Sequence, residues 1–141
     1  MQQPFDPSEV RFFEALRRAE VLEDVNGNRL DTSKGIILVT CSDGDQMPDI
    51  FQHQSTMTPR IHPLARNGGG LQLPHNSPAN RLVDPSSTSM VRLGDLYMEE
   101  IFETHRLKGM GTVVLPFHYP CVIAGRHEIR ARRLIELLME A

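Results

Sequence analysis

The chain has 141 residues, 40% of them apolar, enough for one core, and residues 1–141 read as a single domain. Fifteen basic and 18 acidic residues give a formal net charge of −3, so no global positive field points to nucleic acid or an anionic membrane as a partner. No apolar run approaches the roughly 18 to 20 residues that span a bilayer, and the opening "MQQPFDPSEV" lacks the basic-then-apolar layout of a secretory signal, so a cytoplasmic protein is expected.

A helix is predicted first. Asp6 is placed to cap it, Pro7 suits the first helical position and Glu9 the third, with Val10, Phe12, Phe13 and Leu16 on its buried side. "NGN" at 26–28 marks a turn. "GIILVTC", 35–41, is a continuous apolar, β-branched run without polar alternation, as in a strand covered on both faces. "RIHPLAR", 60–66, predicts the next strand, weakened by Pro63 and stopped by "NGGG" at 67–70.

From Leu71 to Ser89 the chain is rich in Pro, Ser and Asn and shows no period, which predicts a long ordered loop of the kind that serves a site. Ser87 to Ser89 offer a cap for a helix running to about Arg106, with Leu93, Leu96, Tyr97 and Ile101 inward and Lys108-Gly109 as its stop. "GTVVLPFH", 111–118, predicts a further buried strand. A last helix is expected from about Arg126, with Ala131, Leu134, Ile135 and Leu138 inward. The order helix, strand, strand, helix, strand, helix predicts an α/β, three-layer fold: a small parallel β-sheet of three or four strands covered by helices. Such sheets bind ligands outside the carboxyl ends of their strands.

Cys41 and His118 both fall at those ends. The only other cysteine, Cys121, lies 80 positions after Cys41, and a structural disulfide is not expected in a reducing compartment. His118-Tyr119-Pro120-Cys121 sets an imidazole and a thiol three residues apart in a turn. Together with Cys41 they make a soft set of two thiolates and one imidazole suited to zinc, with a fourth position left for water. Taken singly, each cysteine is equally well a small buried hydrophobe. Their placement beside His118 and Asp43 is what favours a metal.

On these residues the chain resembles the β-class carbonic anhydrases. The Cys-x-Asp-x-Arg motif of that family is matched by "CSDGD" at Cys41 and Asp43, its H-x-x-C element by His118 and Cys121, and its Arg-Asn-x-Gly stretch by "RNGGG", Arg66 to Gly70. The resemblance runs from about residue 35 to 125 and implies a Zn2+ ion on Cys41, His118 and Cys121, reversible hydration of carbon dioxide to bicarbonate, and a homodimer or higher homo-oligomer. It gives Asp43 a catalytic part, orienting the attacking water and relaying its proton. One position departs from the pattern: Asp45 stands where the family has the arginine that pairs with its aspartate. Arg60, Arg66 and Arg126 are candidate substitutes. With no such partner Asp43 becomes a fourth ligand that closes the site, leaving a zinc protein with a structural or small-ligand-binding role.

Other features carry no site. "NGGG" lacks the spacing of a phosphate-binding loop and reads as a turn. Arg126, Arg130 and Arg133 share a helical side and read as a solvated or intersubunit face. His53, His62, His75, His105 and His127 have no partner spacing and are expected at the surface or hydrogen-bonded within the core.

Overall fold

A computed structural model describes residues 7–19, 32–44, 47–56, 58–118 and 121–141, with positions 9, 13 and 17 described by backbone alone. The predicted Asp6 cap, the 26–28 turn, Asp45, and the Tyr119 and Pro120 of the H-x-x-C turn lie outside these residues, as does the Phe13 side chain. The elements run α1 (Pro7–Arg18), β1 (Ile36–Cys41), α2 (Met47–Ser55), β2 (Ile61–Arg66), α3 (Leu93–Lys108), β3 (Thr112–Val114), α4 (Val122–Arg126) and α5 (Ala131–Glu140).

The three strands form a sheet of order β2-β1-β3, and both pairings are parallel. β1 is central, as its composition predicts: every residue from Ile36 to Thr40 is at most 1% exposed, so both faces of this strand are closed. β2 sits at an edge, where its proline is tolerated; Pro63 is exposed and stands opposite Leu38 in the register. Parallel neighbours cannot be joined by a tight turn, and α2 supplies the crossover from β1 to β2. The sequence order above has no helix there: Met47, Ile50 and Phe51 recur at helical spacing, but over only nine residues, and the one fully buried side chain is the polar Gln54.

β3 is a correction to the buried strand expected over 111–118. Only Thr112–Val114 is strand, paired to β1 as far as Leu38, and Val113 is 41% exposed. The backbone leaves the ladder before Pro116, which has no N–H to donate. The segment 115–118 therefore runs on past the end of the strand, and His118 comes to lie near the end of β1.

α3 covers β1 through Tyr97 and Ile101, which pack with Ile37, Val39 and Met110. Leu96, expected inward, is 38% exposed. Val10, expected to be buried in α1, is 41% exposed. The start of α3 is also later than Ser87–Ser89 suggests. Residues 84–89 form turns, and the first helical turn is served by Asn80, whose Oδ1 accepts the Gly94 N–H at 2.8 Å, and by Asp95, whose Oδ2 accepts the Arg92 N–H at 2.9 Å. Gly109 ends the helix at φ 66, donating its N–H to the His105 carbonyl at 2.8 Å, as the Lys108-Gly109 stop predicts.

Tyr97 is fully buried and its hydroxyl donates to the Leu64 carbonyl of β2, which pins the helix to the sheet edge. Burial drives its pKa well above the ordinary tyrosine value, so it stays protonated. Tyr97→Phe strands that carbonyl and is expected to cost about 1–3 kcal/mol in urea unfolding. A loss under about 0.5 kcal/mol would show that water replaces the hydroxyl.

The single C-terminal helix expected from Arg126 is instead two. α4 ends in a Schellman arrangement: the Ile129 N–H donates to the Ala124 carbonyl (2.8 Å) and the Glu128 N–H to the Gly125 carbonyl (3.1 Å), with Glu128 at φ 56. Glycine usually marks this left-handed position, and a glutamate there hides the break from a reading of the sequence. Ile129 then enters a cluster with Leu71, Ala79, Cys121, Ala124, Leu134 and Leu137, against which Cys41, Ile123 and Leu138 pack. This second cluster forms the floor of the site. No helix of the described residues is long and apolar enough to cross a membrane.

Candidate metal centre

β1 and β3 are neighbours running in the same direction, so the segments that follow them emerge side by side. Cys41 is the last residue of β1, His118 lies four residues beyond β3, and Cys121 sits just before α4. One ligand atom from each of the three, two sulfurs and an imidazole nitrogen, all lie within 4.8 Å of one another. Tetrahedral zinc with two sulfurs and a nitrogen separates its donors by about 3.5–3.8 Å, so closing this set on an ion takes a shift of about an ångström. Asp43 flanks the cluster, its Oδ2 3.8 Å from His118 Nε2. The structure thus brings together all four residues singled out in the sequence.

The donors are held in a way that suits thiolates. The Gly68 N–H donates to Cys41 Sγ at 3.3 Å. Without an ion the two thiols share a proton unequally. The Cys121 S–H donates to Cys41, and that bond does most to lower the Cys41 pKa from 9.0 to about 4; burial opposes it, and the His118 ring and the amides of Gly68 and Asp43 add to it. Cys121 moves the other way, raised by its role as donor to Cys41 and by burial, while the Ala124 and Ile123 amides pull against the rise. Both sulfurs therefore face backbone N–H groups ready to stabilise negative charge once an ion displaces the shared proton.

The sign of the resulting pH dependence follows. In metal-free protein the Cys41 contribution to stability is complete above the ordinary thiol value of 9.0 and is lost as pH falls toward about 4. The raised Cys121 contributes the reverse, so stability declines again above 9.0, where the unfolded chain gives up a proton that the fold retains. Denaturant unfolding of metal-free protein from acid to alkaline pH should give a maximum near the ordinary thiol range. A flat profile through the acid side would show that Cys41 is not a thiolate in the fold.

"NGGG", a turn on its sequence, proves to be part of the site. Gly68 has φ 87 and supplies the amide on Cys41, and Gly69, at φ 48, lies against the backbone of Thr40 and Cys41. A sequence gives no sign of this contact, because β2 has to lie parallel beside β1 in this register before residues 67–69 reach Cys41.

Of the candidate arginine partners, Arg66 is committed elsewhere: its guanidinium is 2.7 Å from Glu100 and lies over the Tyr97 ring at 4.7 Å. Arg60 and Arg126 are exposed. Arg133 pairs with Glu136 at 3.2 Å on the exposed face of α5, in keeping with a solvated charge face. His105 donates from Nδ1 to the Met110 carbonyl at 2.9 Å, and His62 Nδ1 is 2.6 Å from Lys108 Nζ. The His62 pKa is lowered by burial and then by Lys108, which keeps that ring neutral and able to accept the Lys108 hydrogen bond.

Beside the cluster lies a narrow cleft, partly open to solvent, with Leu71, Pro116, Phe117, Leu134 and Leu138 as its apolar wall. Its enclosed space is close to that of a single water molecule, so only a very small ligand fits without movement of its walls. No protein-family model matches the chain, and no curated protein or solved structure matches it either. A Cys41-His118-Cys121 group able to hold a metal ion is what the fold establishes.

Proposed function

We propose that the chain is a zinc protein of the β-carbonic anhydrase type that reversibly hydrates carbon dioxide to bicarbonate. The observation that carries this reading is the convergence of two sulfurs and an imidazole, from the ends of two adjacent parallel strands, within 4.8 Å of one another. Soft sulfur donors with one imidazole favour zinc over magnesium, calcium or manganese, which take oxygen ligands. Zinc bound there would supply a Lewis acid that makes water a nucleophile near neutral pH.

The remaining work belongs to the chain. Cys41, Cys121 and His118 would hold the ion, and three protein donors would leave it one further position for water. The apolar wall, with Phe117 and Leu138, favours an uncharged linear substrate over water. Asp43, next to His118, would accept a proton from the attacking water and pass it outward, its partial exposure giving it a solvent contact. On the same reading two copies pair as a homodimer, which covers open edges of a three-stranded sheet.

A second reading, in which Asp43 itself takes the fourth position and the protein is structural or binds another small ligand, is favoured by two observations. The Asp43 carboxylate already lies 3.8 Å from His118 Nε2, and Arg66 is held by Glu100 and Tyr97. Stopped-flow hydration by zinc-loaded protein separates the two. Turnover above buffer between about pH 6 and 9 supports the enzyme, and its absence removes it. Asp43→Ala in cobalt-loaded protein tests the closed form: loss of a carboxylate ligand would change the donor set and with it the intensity of the visible ligand-field bands, and an unchanged spectrum removes that form.

A further inference from the structure

The ligands alone do not explain why a glutamine is buried behind the 67–70 turn. Gln72 is 6% exposed, and its Nε2 donates to the Asn67 carbonyl at 2.7 Å. The atom facing that carbonyl has to be the nitrogen, since an oxygen could not donate there. Among the described residues Gln72 Oε1 has no hydrogen-bond partner, so the one polar contact recorded for this side chain is its hold on Asn67.

The Asn67 carbonyl and the Gly68 N–H are two ends of one peptide unit. Because that unit is planar and trans, fixing the direction of its C=O fixes the opposite direction of its N–H. The N–H in question donates to Cys41 Sγ at 3.3 Å. A donor on the carbonyl also polarises the unit and strengthens the N–H at its other end. The Asn67 side chain is secured as well: the Ser42 hydroxyl donates to Asn67 Oδ1 at 2.7 Å, and Ser42 directly follows the ligand Cys41. The Ser42 N–H in turn donates to the Arg66 carbonyl at 3.1 Å.

We propose that Gln72 and Ser42 are positioning residues of the metal centre, which hold the Asn67–Gly68 peptide so that its N–H stays on the Cys41 sulfur and moderates that thiolate as a donor. The proposal rests on the metal reading of Cys41, His118 and Cys121. A hydrogen bond to a bound thiolate withdraws charge from sulfur, which limits the negative charge built up by two thiolates with Asp43 alongside. Sulfur-to-metal charge transfer then takes more energy than it would for a bare thiolate.

The test uses the full chain with Gln72→Met, which removes the donor at nearly constant volume, and with Ser42→Ala at an exposed position, where folding is not at risk. In metal-free protein, hydrogen exchange at the Gly68 amide is expected to speed up about tenfold or more in each variant, as its bond to sulfur is released. In cobalt-loaded protein the sulfur-to-cobalt band should move to lower energy, and the cobalt dissociation constant should rise about 10- to 100-fold. Ser42→Thr, which keeps the hydroxyl, should restore all three.

Gly68 exchange at the wild-type rate in both variants overturns the proposal, and so does faster exchange with an unmoved cobalt band. A wild type that takes up neither cobalt nor zinc overturns the metal reading as well. That outcome is distinct from failure of the proposal alone, in which the wild type binds cobalt and the variants match it.

Discussion

Gly69→Ala is expected to destabilise the metal-free protein by about 2–5 kcal/mol. A Cβ at this position would stand 2.5 Å from the Cys41 nitrogen and the Thr40 carbonyl carbon, both main-chain atoms of the central strand that cannot swing aside. The backbone there is also at φ 48, a left-handed conformation that costs an alanine about 1–2 kcal/mol. Overpacking against fixed backbone adds about 1–3 kcal/mol. Gly44→Ala is the control, since a Cβ there meets nothing within 4 Å. Urea unfolding of the two variants beside wild type checks the difference; a Gly69→Ala loss below about 1 kcal/mol would mean that the turn does not press on β1 as described. The same variant should also lose metal affinity, because the strand end it displaces carries Cys41.

Cys121→Ala is expected to abolish stoichiometric metal binding, with a fall in affinity beyond the roughly 10- to 100-fold typical of changes around a ligand. Stability gives the cleaner reading. An ion that binds only the folded chain stabilises wild type by about 2.7 kcal/mol at 100 times its dissociation constant, and the variant should gain almost nothing at the same concentration. Cys121 is 7% exposed within an apolar cluster, so alanine removes little besides the sulfur, and any packing loss appears equally with and without metal. Equal zinc-dependent stabilisation in wild type and variant would show that the ion, if any, lies elsewhere.

Local pattern carried much of the fold. The unbroken apolar run at β1 announced a strand closed on both faces, and all of Ile36 to Thr40 is buried. Gly109 marked the end of α3, where a left-handed residue was needed. The helix breaks and short elements were less legible, each for a physical reason. α2 is only nine residues long, and the stripe of Met47, Ile50 and Phe51 is completed by the polar Gln54, so its apolar period is too short to stand out. The gap between α4 and α5 is made by a glutamate in a conformation that glycine normally takes. The first turn of α3 is capped by Asn80, 14 residues before the amide it serves, rather than by the nearby serines.

The site divides along the same line. Residue chemistry singled out Cys41, His118 and Cys121 as a soft donor set, and the resemblance to the β-class carbonic anhydrases added Asp43 and most of the weight for a metal. What holds those groups was decided in three dimensions. Parallel pairing of β1 with β3 brings His118 and Cys121 to Cys41, and pairing with β2 in the Cys41–Arg66 register lays the Gly68 amide on the sulfur. Side-chain identity is a property of each residue, whereas a backbone N–H is common to nearly all of them and acquires a function only from the atom the fold sets before it.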